Sequence, residues 1–307
     1  MIIKYIENKN IDKEKWNDCI DTALNGLIYA KSFFLDNMAD NWDGIVLGDY
    51  EAIMPVTWKN KWGIRYLYQP AFLQQGGIFF KAALSEVDIN EVFNTIFTRF
   101  KFAEITGNYL NASLHSIPFL NVNIRNNFII NLNQDYSKLS YNYTFSCKKS
   151  LKRVKKFDLL YKQSNNFSEI IKLYKNLYGQ RLPYVLDKDY DYFEKLCKEV
   201  SGKQNVIIRQ VFNSKGELLC AVILLKDAGR LYNIISCVTA AGKQLEANYF
   251  LYDNIFKEFS GKPLLFDFEG SDIQGIANFY LKFNPDNHPY PFIKFNKLNI
   301  FLKLLKQ

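Results

Sequence analysis

The sequence predicts an α+β (α/β) protein made of two lobes, each a mixed, mostly antiparallel sheet flanked by helices. Its 307 residues exceed what one hydrophobic core of ordinary size accommodates. The same order of elements, three antiparallel strands followed by a helix and a strand, occurs twice along the chain. The net charge also changes sign, since residues 1–135 hold 12 basic and 15 acidic side chains and residues 136–307 hold 27 and 16. We therefore expect lobes 1–135 and 136–307, the second one basic and suited to an anionic partner.

The composition argues against several classes of protein. No apolar run approaches the length of a membrane span, and the first four residues do not open a signal peptide. With only two histidines in the chain, zinc sites and Cys/His catalysis are poorly supplied. The five cysteines are scattered and form no C-x-x-C pair. We expect a reduced, cytoplasmic, metal-free protein.

In the first lobe, residues 2–6 have the pattern of an edge strand, and residues 12–22 and 33–42 have helical patterns. The three strands of the meander are expected at 44–47, 52–58 and 64–69, before a loop at 70–77. A helix over 87–100 and strands at 102–106 and 128–132 follow.

The second lobe repeats this plan. Helices are expected at 143–156, 167–178, 190–200 and 244–259. Strands are expected at 159–162, 206–212, 218–226, 230–238 and 264–268. The segments F-A-E-I-T-G-N (102–108) and L-F-D-F-E-G-S (265–271) both place an acid three residues before a glycine.

Candidate functional residues lie at the end of the last of these strands, 264–268. Because strand side chains alternate, Asp267 and Glu269 are expected on one face, opposite Phe266 and Phe268. Ser271 or Asp272 would cap a following helix, whose expected apolar face is Ile273, Ile276, Phe279 and Tyr280. Carboxylates at a strand end beside a helix N-terminus are typical of functional sites in open α/β sheets. An exposed strand end followed by an ordinary helix cap is the alternative.

Several segments in a fixed order carry a resemblance to a known family. They are the hairpin from Trp42 to Pro55, the run Tyr68-x-Pro70 with Gln74 and Gly76, the basic helix 148–156, and Asp267-Phe-Glu-Gly-Ser271 followed by Gly275-x-x-x-Phe279-x-x-x-Phe283. Over nearly its whole length the chain resembles tandem GNAT-type acyltransferases, and among them the Fem-type peptidyltransferases. The helical hairpin that Fem-type enzymes carry, associated with aminoacyl-tRNA use, has no counterpart here. The lysine of their late Phe-Lys-x-x-Phe pattern is replaced by Tyr280, with Lys282 two residues on.

The resemblance implies N-acyl transfer, which needs an amine freed of its proton, a held thioester or ester, and donors for the oxyanion. Glu269, with Asp267, and Tyr280 are the candidate catalytic residues. A tyrosine packed as an ordinary aromatic side chain is the alternative for Tyr280.

The resemblance implies that the basic second lobe, 136–307, binds the donor. A donor such as acetyl-CoA or another acyl-CoA needs a place for its phosphates. Free N–H groups and the dipole at a helix N-terminus favour anions. The candidate segment, running from a strand into helix 244–259, is Thr239, Ala240, Ala241, Gly242 and Lys243. An ordinary turn is the alternative.

Two further groups are candidates for substrate binding. The basic helix holds six positive charges in nine residues, and we expect Lys149, Lys152, Arg153 and also Lys282 to contact an anionic partner; a solvated helix face is the alternative. In the first lobe, Tyr68, Gln69 and Gln74 could form a polar, aromatic acceptor cleft, or simply pack on a sheet.

Two functional classes follow. The first is an N-acyltransferase that moves an acyl or aminoacyl group from an acyl-CoA-type donor to an amine of a small molecule or a cell-envelope precursor. Its acceptor could be linked to a nucleotide sugar, and aminoacyl-tRNA is the less favoured donor. The second is a non-catalytic or RNA/nucleotide-binding protein on a degenerate GNAT scaffold.

Overall fold

The computed structural model describes residues 1–111, 120–202, 205–270 and 272–298. Contacts between residues divide the chain into two compact units. Unit 1 is Met1–Arg125 together with Pro289–Gln307, and unit 2 is Asn126–His288. The division expected at 135/136 differs from this one at both ends of unit 2.

The helices and strands of Met1–Arg125 are, in chain order, β1 (Ile3–Ile6), α1 (Lys13–Thr22), α2 (Ser32–Met38), β2 (Trp42–Leu47), β3 (Ala52–Lys61), β4 (Ile64–Leu67), β5 (Phe79–Phe80), α3 (Glu86–Arg99), β6 (Phe102–Thr106) and β7 (Asn121–Arg125). Unit 2 contains β8 (Phe128–Asn131), α4 (Tyr136–Asn142), α5 (Phe145–Val154), β9 (Leu160–Ser164), α6 (Phe167–Tyr178), α7 (Asp187–Ser201), β10 (Val206–Phe212), β11 (Leu218–Lys226), β12 (Arg230–Val238), α8 (Ala240–Gln244), α9 (Ala247–Phe259), β13 (Leu265–Asp267), α10 (Gln274–Tyr280) and β14 (Asp286–Asn287). The chain then returns to unit 1 with β15 (Tyr290–Asn296).

The sheet of unit 1 has the strand order β1-β2-β3-β4-β6-β15-β7, and β5 also pairs with β3. Its described pairs are antiparallel except β4–β6, which run parallel and join through Leu67 and Ala103. Helix α3 begins at an N-cap serine, Ser85, whose hydroxyl accepts from the amide of Asp88. Its buried side chains enter the core of this unit beside strand residues such as Ile293 and Phe295 of β15.

The sheet of unit 2 has the order β14-β8-β13-β12-β11-β10-β9. Here β12 and β13 run parallel, and the other described pairs are antiparallel. Central strand β11 is buried along nearly all of its length, as a strand covered on both faces should be. Helix α9 contributes Leu251, Ile255 and Phe256 to the core.

The α+β fold class, with two mixed sheets flanked by helices, is therefore confirmed. Two details of the sequence-based prediction are corrected. The helix expected at 143–156 is shorter, because Thr144 is the N-cap of α5 and its hydroxyl accepts from the amide of Cys147 at 3.3 Å; a separate helix, α4, lies before it and was not expected. The helix expected at 244–259 also begins late, because Glu246 adopts a left-handed conformation (φ 54°) between α8 and α9.

The expected change in the sign of the charge does not follow the observed units. Unit 1 holds 16 basic and 14 acidic residues and unit 2 holds 23 and 17, so both are positive. In the part of the chain that the structure describes, no helix is long and apolar enough to cross a membrane. Over the same residues, no cluster of His, Cys, Asp and Glu could hold a metal ion.

Candidate active site

The candidate site lies where two parallel strands of unit 2 separate. Strand β12 pairs with β13 over three residues, Arg230–Tyr232 with Leu265–Asp267. On its other side, Tyr232 lies opposite Leu225 and Ile235 lies opposite Ile223, so β12 carries one residue more than β11 in this interval. An extra residue of this kind bends a strand and increases its twist. The bulge follows directly after the last paired residue, so β12 leaves β13 there. We call the region between the carboxyl end of β13 and residues 233–238 of β12 the gap.

Asp267, the last residue of β13, is completely buried. Its carboxylate accepts hydrogen bonds from the Arg230 guanidinium (2.7 Å), the Asn127 amide (3.2 Å) and the backbone N–H of Glu269 (2.9 Å). The guanidinium balances the buried negative charge, which would otherwise be very unfavourable. Asp267 therefore points inward and fixes the backbone that follows the strand.

Glu269 does not share a strand face with Asp267, contrary to the sequence-based expectation. The strand ends at Asp267, so side-chain alternation does not continue to Glu269. Instead Glu269 (φ 67°) and Gly270 (φ 58°) are both left-handed. The expected caps also differ, because α10 begins after Ile273, without a side-chain cap, and Ser271 lies outside the described residues. Ile273, the residue before α10, and Ile276 within it are exposed, although both were expected on the apolar face of this helix.

Tyr280, at the end of α10, packs as an aromatic side chain and still brings a polar group to the gap. Its ring stacks on Phe268 with the centroids 4.3 Å apart. Its hydroxyl makes no hydrogen bond to any described residue. Burial raises the pKa of Tyr280 well above its ordinary value, and Tyr252, Tyr174, Glu269 and Tyr178 lie close enough to raise it further. The phenol therefore keeps its proton near neutral pH and can donate a hydrogen bond, and Glu269 is one of its neighbours.

Tyrosines that the sequence analysis did not single out surround this position. Tyr174 and Tyr178 lie on α6 with their ring centroids 5.3 Å apart, and Tyr190 on α7 lies 6.4 Å from Tyr174. The Tyr178 hydroxyl accepts from the N–H of Val238 (3.2 Å) and donates to its C=O (3.4 Å). Val238 is the last residue of β12. An i, i+4 pair of tyrosines in a helix is also an ordinary core pattern, so the sequence held no signal that could identify them.

Asn233, at the bulge of β12, has a buried side-chain amide with only one hydrogen-bond partner among the described residues. The Asn233 amide nitrogen donates to the Tyr252 hydroxyl at 2.9 Å, and that hydroxyl donates to Ser236 at 2.9 Å. Asn233 is 3% exposed, and its amide oxygen has no partner among the described residues. In either orientation of the amide, one of its two polar atoms stays without a partner. A buried polar group left in this state costs about 1–3 kcal/mol, which a bound ligand or water could recover.

Comparison with known proteins bears on the fold. No protein-family model matches the sequence, and the search of curated proteins found no relative. Among solved structures, FemX is similar over 100% of both chains, with a TM-score of 0.65 and 11% identity. The C-terminal domain of a putative lysylphosphatidylglycerol synthetase from Agrobacterium fabrum has a TM-score of 0.56 and 11% identity, covering 96% of this chain and 95% of that one. An acetyltransferase of the GNAT family from Colwellia psychrerythraea has 0.54 and 13%, covering 96% and 100%.

The chain has a Fem/GNAT-like fold. At these identities the likeness concerns the fold alone.

In this Fem/GNAT-like chain, the expected phosphate-binding segment has a structural role. Thr239 caps α8, because its hydroxyl accepts from the amide of Gly242 (3.0 Å) and donates to the carbonyl of Leu219 (3.1 Å). A Cβ at Gly242 would lie 2.2 Å from that same carbonyl oxygen, so the backbone of β11 requires glycine here. Ala240, Ala241 and Lys243 are exposed. Phosphate binding by this segment stays a prediction, and no substitution of Gly242 can test it without disturbing α8.

The four basic residues expected to bind substrate differ in their contacts. The Arg153 guanidinium forms a two-point ion pair with Glu246, with an Nε–Oε2 distance of 2.8 Å, and so links α5 to the start of α9. Lys149 and Lys152 are exposed and form no ion pair with any described residue. The carbonyl of Lys282 accepts from the amide of Thr144 at 3.0 Å, which attaches the end of α10 to the start of α5.

Tyr68, Gln69 and Gln74 belong to unit 1, whereas Glu269, Asp267 and Tyr280 belong to unit 2. In unit 1 these polar groups have internal partners. The Tyr68 hydroxyl accepts from the amide of Asp40 (2.7 Å), and the Gln69 side chain bonds Leu73 (2.6 Å) and the amide of Thr106 (3.0 Å). A cavity of about 20 Å³ beside Gln69 has room for about one water molecule. An acceptor cleft here stays a prediction.

Proposed function

We propose that unit 2 is an N-acyltransferase whose reaction takes place in the gap where β12 and β13 separate. The observation that carries the proposal is that Tyr280 stacks on Phe268, the residue between Asp267 and Glu269, and has Glu269 among its neighbours just beyond the end of β13. Ligands bind outside the carboxyl ends of strands in open sheets. A carboxylate and a phenol that retains its proton are a suitable pair for acid–base chemistry on an acyl group.

The proposed roles follow from the chemistry of the two groups. The acceptor amine attacks the carbonyl carbon of the donor thioester, a C–N bond forms, and the proton of the amine passes to Glu269. When the tetrahedral intermediate collapses, the C–S bond breaks and the departing sulfur takes a proton that Tyr280 can supply. Solvent then returns the proton from Glu269 to the phenol. Asp267 is a positioning residue, because its carboxylate holds the amide of Glu269 at 2.9 Å.

The substrates are proposed by class. The donor is an acyl-CoA such as acetyl-CoA, with an aminoacyl ester as the second candidate. The acceptor is an amine of a small molecule or a cell-envelope precursor. One structural neighbour is named as a domain of a putative lysylphosphatidylglycerol synthetase. That name joins a lysyl group to a membrane lipid, which supports an aminoacyl donor and an envelope acceptor as candidates for this chain.

The test compares two variants with the wild-type chain. We expect Glu269→Gln to lower kcat by about 10²–10⁴-fold, the usual range for loss of a general base, with a much smaller change in donor affinity. Tyr280→Phe should lower kcat less, because water can replace one phenolic donor. Product formation is followed by mass spectrometry over a panel of acyl-CoA donors and amines, and donor binding by calorimetry.

The matched control is Glu217→Gln, which removes a carboxylate from the exposed turn between β10 and β11 and should keep wild-type kcat. Full activity in Glu269→Gln would overturn the role of that carboxylate. No turnover by the wild-type chain with acyl-CoA or aminoacyl donors would overturn the enzyme proposal.

A second candidate is a non-catalytic protein that binds RNA or nucleotides. Two observations favour it: the Tyr178 hydroxyl already occupies both backbone groups of Val238, and Gly242 packs against Leu219. Both contacts engage backbone in or next to the segment expected to bind the phosphates of a donor. Nucleotide or RNA binding without turnover would support this candidate.

A further inference from the structure

Helix α5 exposes a surface of lysines and one phenylalanine to solvent. Its inner side is formed by Cys147, Ser150 and Val154, all buried. Its outer side carries one phenylalanine and a series of lysines, spaced three and four residues apart. The lysines continue directly past the end of the helix. We call this surface the α5 stripe, and it consists of Phe145, Lys148, Lys149, Lys152, Lys155 and Lys156.

The positive charge of the α5 stripe is not neutralised. None of its five lysines forms an ion pair with a described residue, and all are exposed. The segment 136–157, which contains α4 and α5, has seven basic residues and no Asp or Glu. The arginine within this segment, Arg153, is different, because Glu246 holds its guanidinium. The remaining charge is therefore carried by lysine ammonium groups alone.

Exposed apolar side chains lie at the N-terminal end of the same stripe. Phe145 is 83% exposed and Tyr141, at the end of α4, is 79% exposed. The ammonium of Lys148 donates to the carbonyl of Tyr141 at 2.6 Å and lies 5.2 Å from the centre of its ring. Leu281, beside the Lys282 carbonyl that bonds Thr144, is 44% exposed. Aromatic and aliphatic groups grouped beside unpaired lysines indicate a contact surface rather than scattered exposure.

We propose that the α5 stripe docks the protein onto an anionic lipid bilayer surface, with Phe145, Tyr141 and Leu281 entering the interface and the lysines meeting lipid phosphates. Clusters of basic residues bind anionic membranes through summed, non-directional attraction, and flanking Phe or Leu side chains add apolar burial. Lysine, a strongly hydrated point charge on a flexible stem, suits that role. Arginine is the residue that recognises nucleic-acid phosphates in two-point geometry, and here it is committed to Glu246.

This inference is independent of the proposed chemistry, because it concerns where the protein lies and not what it catalyses. It can be tested with the full chain in a vesicle sedimentation assay. We expect the wild type to bind vesicles of phosphatidylcholine mixed with phosphatidylglycerol and not vesicles of phosphatidylcholine alone. Binding should weaken as salt is raised, because the lysines are exposed to the ionic atmosphere.

Two variants probe the two components. Lys149→Gln/Lys152→Gln/Lys156→Gln should lower the partition coefficient on the order of 100-fold, since each lysine near an anionic surface contributes on the order of a fivefold factor. Phe145→Ser should lower it by about tenfold, at unchanged salt dependence. The matched control, Lys172→Gln/Lys195→Gln/Lys215→Gln, removes the same charge from exposed positions elsewhere in unit 2 and should keep nearly wild-type binding.

Circular dichroism and thermal melting establish that each variant is folded. Equal losses in the α5 triple variant and in the control variant would overturn the proposal, because net charge and not the stripe would then govern binding. A second outcome would also overturn the proposal: the wild-type chain does not bind the anionic vesicles but binds unfractionated tRNA, and the α5 triple variant loses the tRNA affinity. The α5 stripe would then be assigned to RNA binding.

Discussion

Asp267 and Glu269 show how two acids two positions apart can take different roles. Asp267 ends β13 and is held by Arg230 and Asn127, while Glu269 follows in a left-handed conformation beside Tyr280. The sequence shows that a strand end carries two carboxylates. It does not show that the strand ends at the first of them, which separates a structural acid from a candidate base.

Replacing the buried acid should reduce stability more than replacing an exposed one. Asp267→Asn removes the carboxylate that balances Arg230 and weakens the attachment of the Glu269 amide. Loss of one partner from a buried ion pair costs about 3–5 kcal/mol, so we expect the free energy of unfolding in urea to fall by about 3 kcal/mol. Asp286→Asn, an exposed acid in β14, is the control and should change it by less than about 0.5 kcal/mol. Similar unfolding curves for the two variants would contradict this account of Asp267.

At the level of elements, helix α9 is attached to the sheet of unit 2 by a charged group as well as by its apolar face. Glu258 accepts from Arg209 of β10 (Nε–Oε2 2.8 Å) and from the Tyr161 hydroxyl of β9 (2.6 Å). Burial of Glu258 raises its pKa, but the hydrogen bonds from Arg209 and Tyr161 outweigh burial, so the pKa lies below its ordinary value of 4.5. The ionised form is therefore stabilised by folding.

This pKa shift has a defined pH dependence. A carboxyl group whose folded pKa is lowered contributes stability above its unfolded pKa, near 4.5, and loses that contribution as pH falls through the folded value. We expect Glu258→Gln to lower the free energy of unfolding by about 2 kcal/mol near pH 7. The difference from wild type should shrink as pH falls below about 4.5. Urea unfolding over a pH series tests this, and a difference that stays constant with pH would contradict it.

At the scale of the molecule, the chain leaves unit 1 after β7, forms unit 2, and returns with β15. Strand β15 lies between β6 and β7 and pairs with both, so the sheet of unit 1 depends on the last described strand. Strand β8, expected in the first lobe, pairs instead with β13 and β14 of unit 2. Division of the chain into consecutive halves therefore interrupts both sheets.

Fragments should show this dependence directly. We expect fragment 126–288 to unfold cooperatively in urea, because it retains the strands of its own sheet. Fragment 1–135 should show no cooperative transition, because β6 loses its partner β15 and the core loses Ile293 and Phe295. Circular dichroism and urea titration measure both. Joining 1–125 to 289–307 through a flexible linker is the control that should restore folding, and a cooperative transition in 1–135 alone would contradict the expected role of β15.

The sequence by itself determined the fold class and the repeated order of elements, and it predicts a functional site around Asp267 and Tyr280. These follow from short-range physics: the periodicity of apolar residues, the alternation of strand side chains, and the turn residues between them. Tertiary structure alone decided that β15 returns to the sheet of unit 1 and that Arg230 pairs with Asp267. It also decided that Tyr174, Tyr178 and Tyr252 lie near Tyr280. Each of these depends on contacts between residues far apart in the chain, and local patterns carry no information about which distant partner a strand edge or a buried charge will meet.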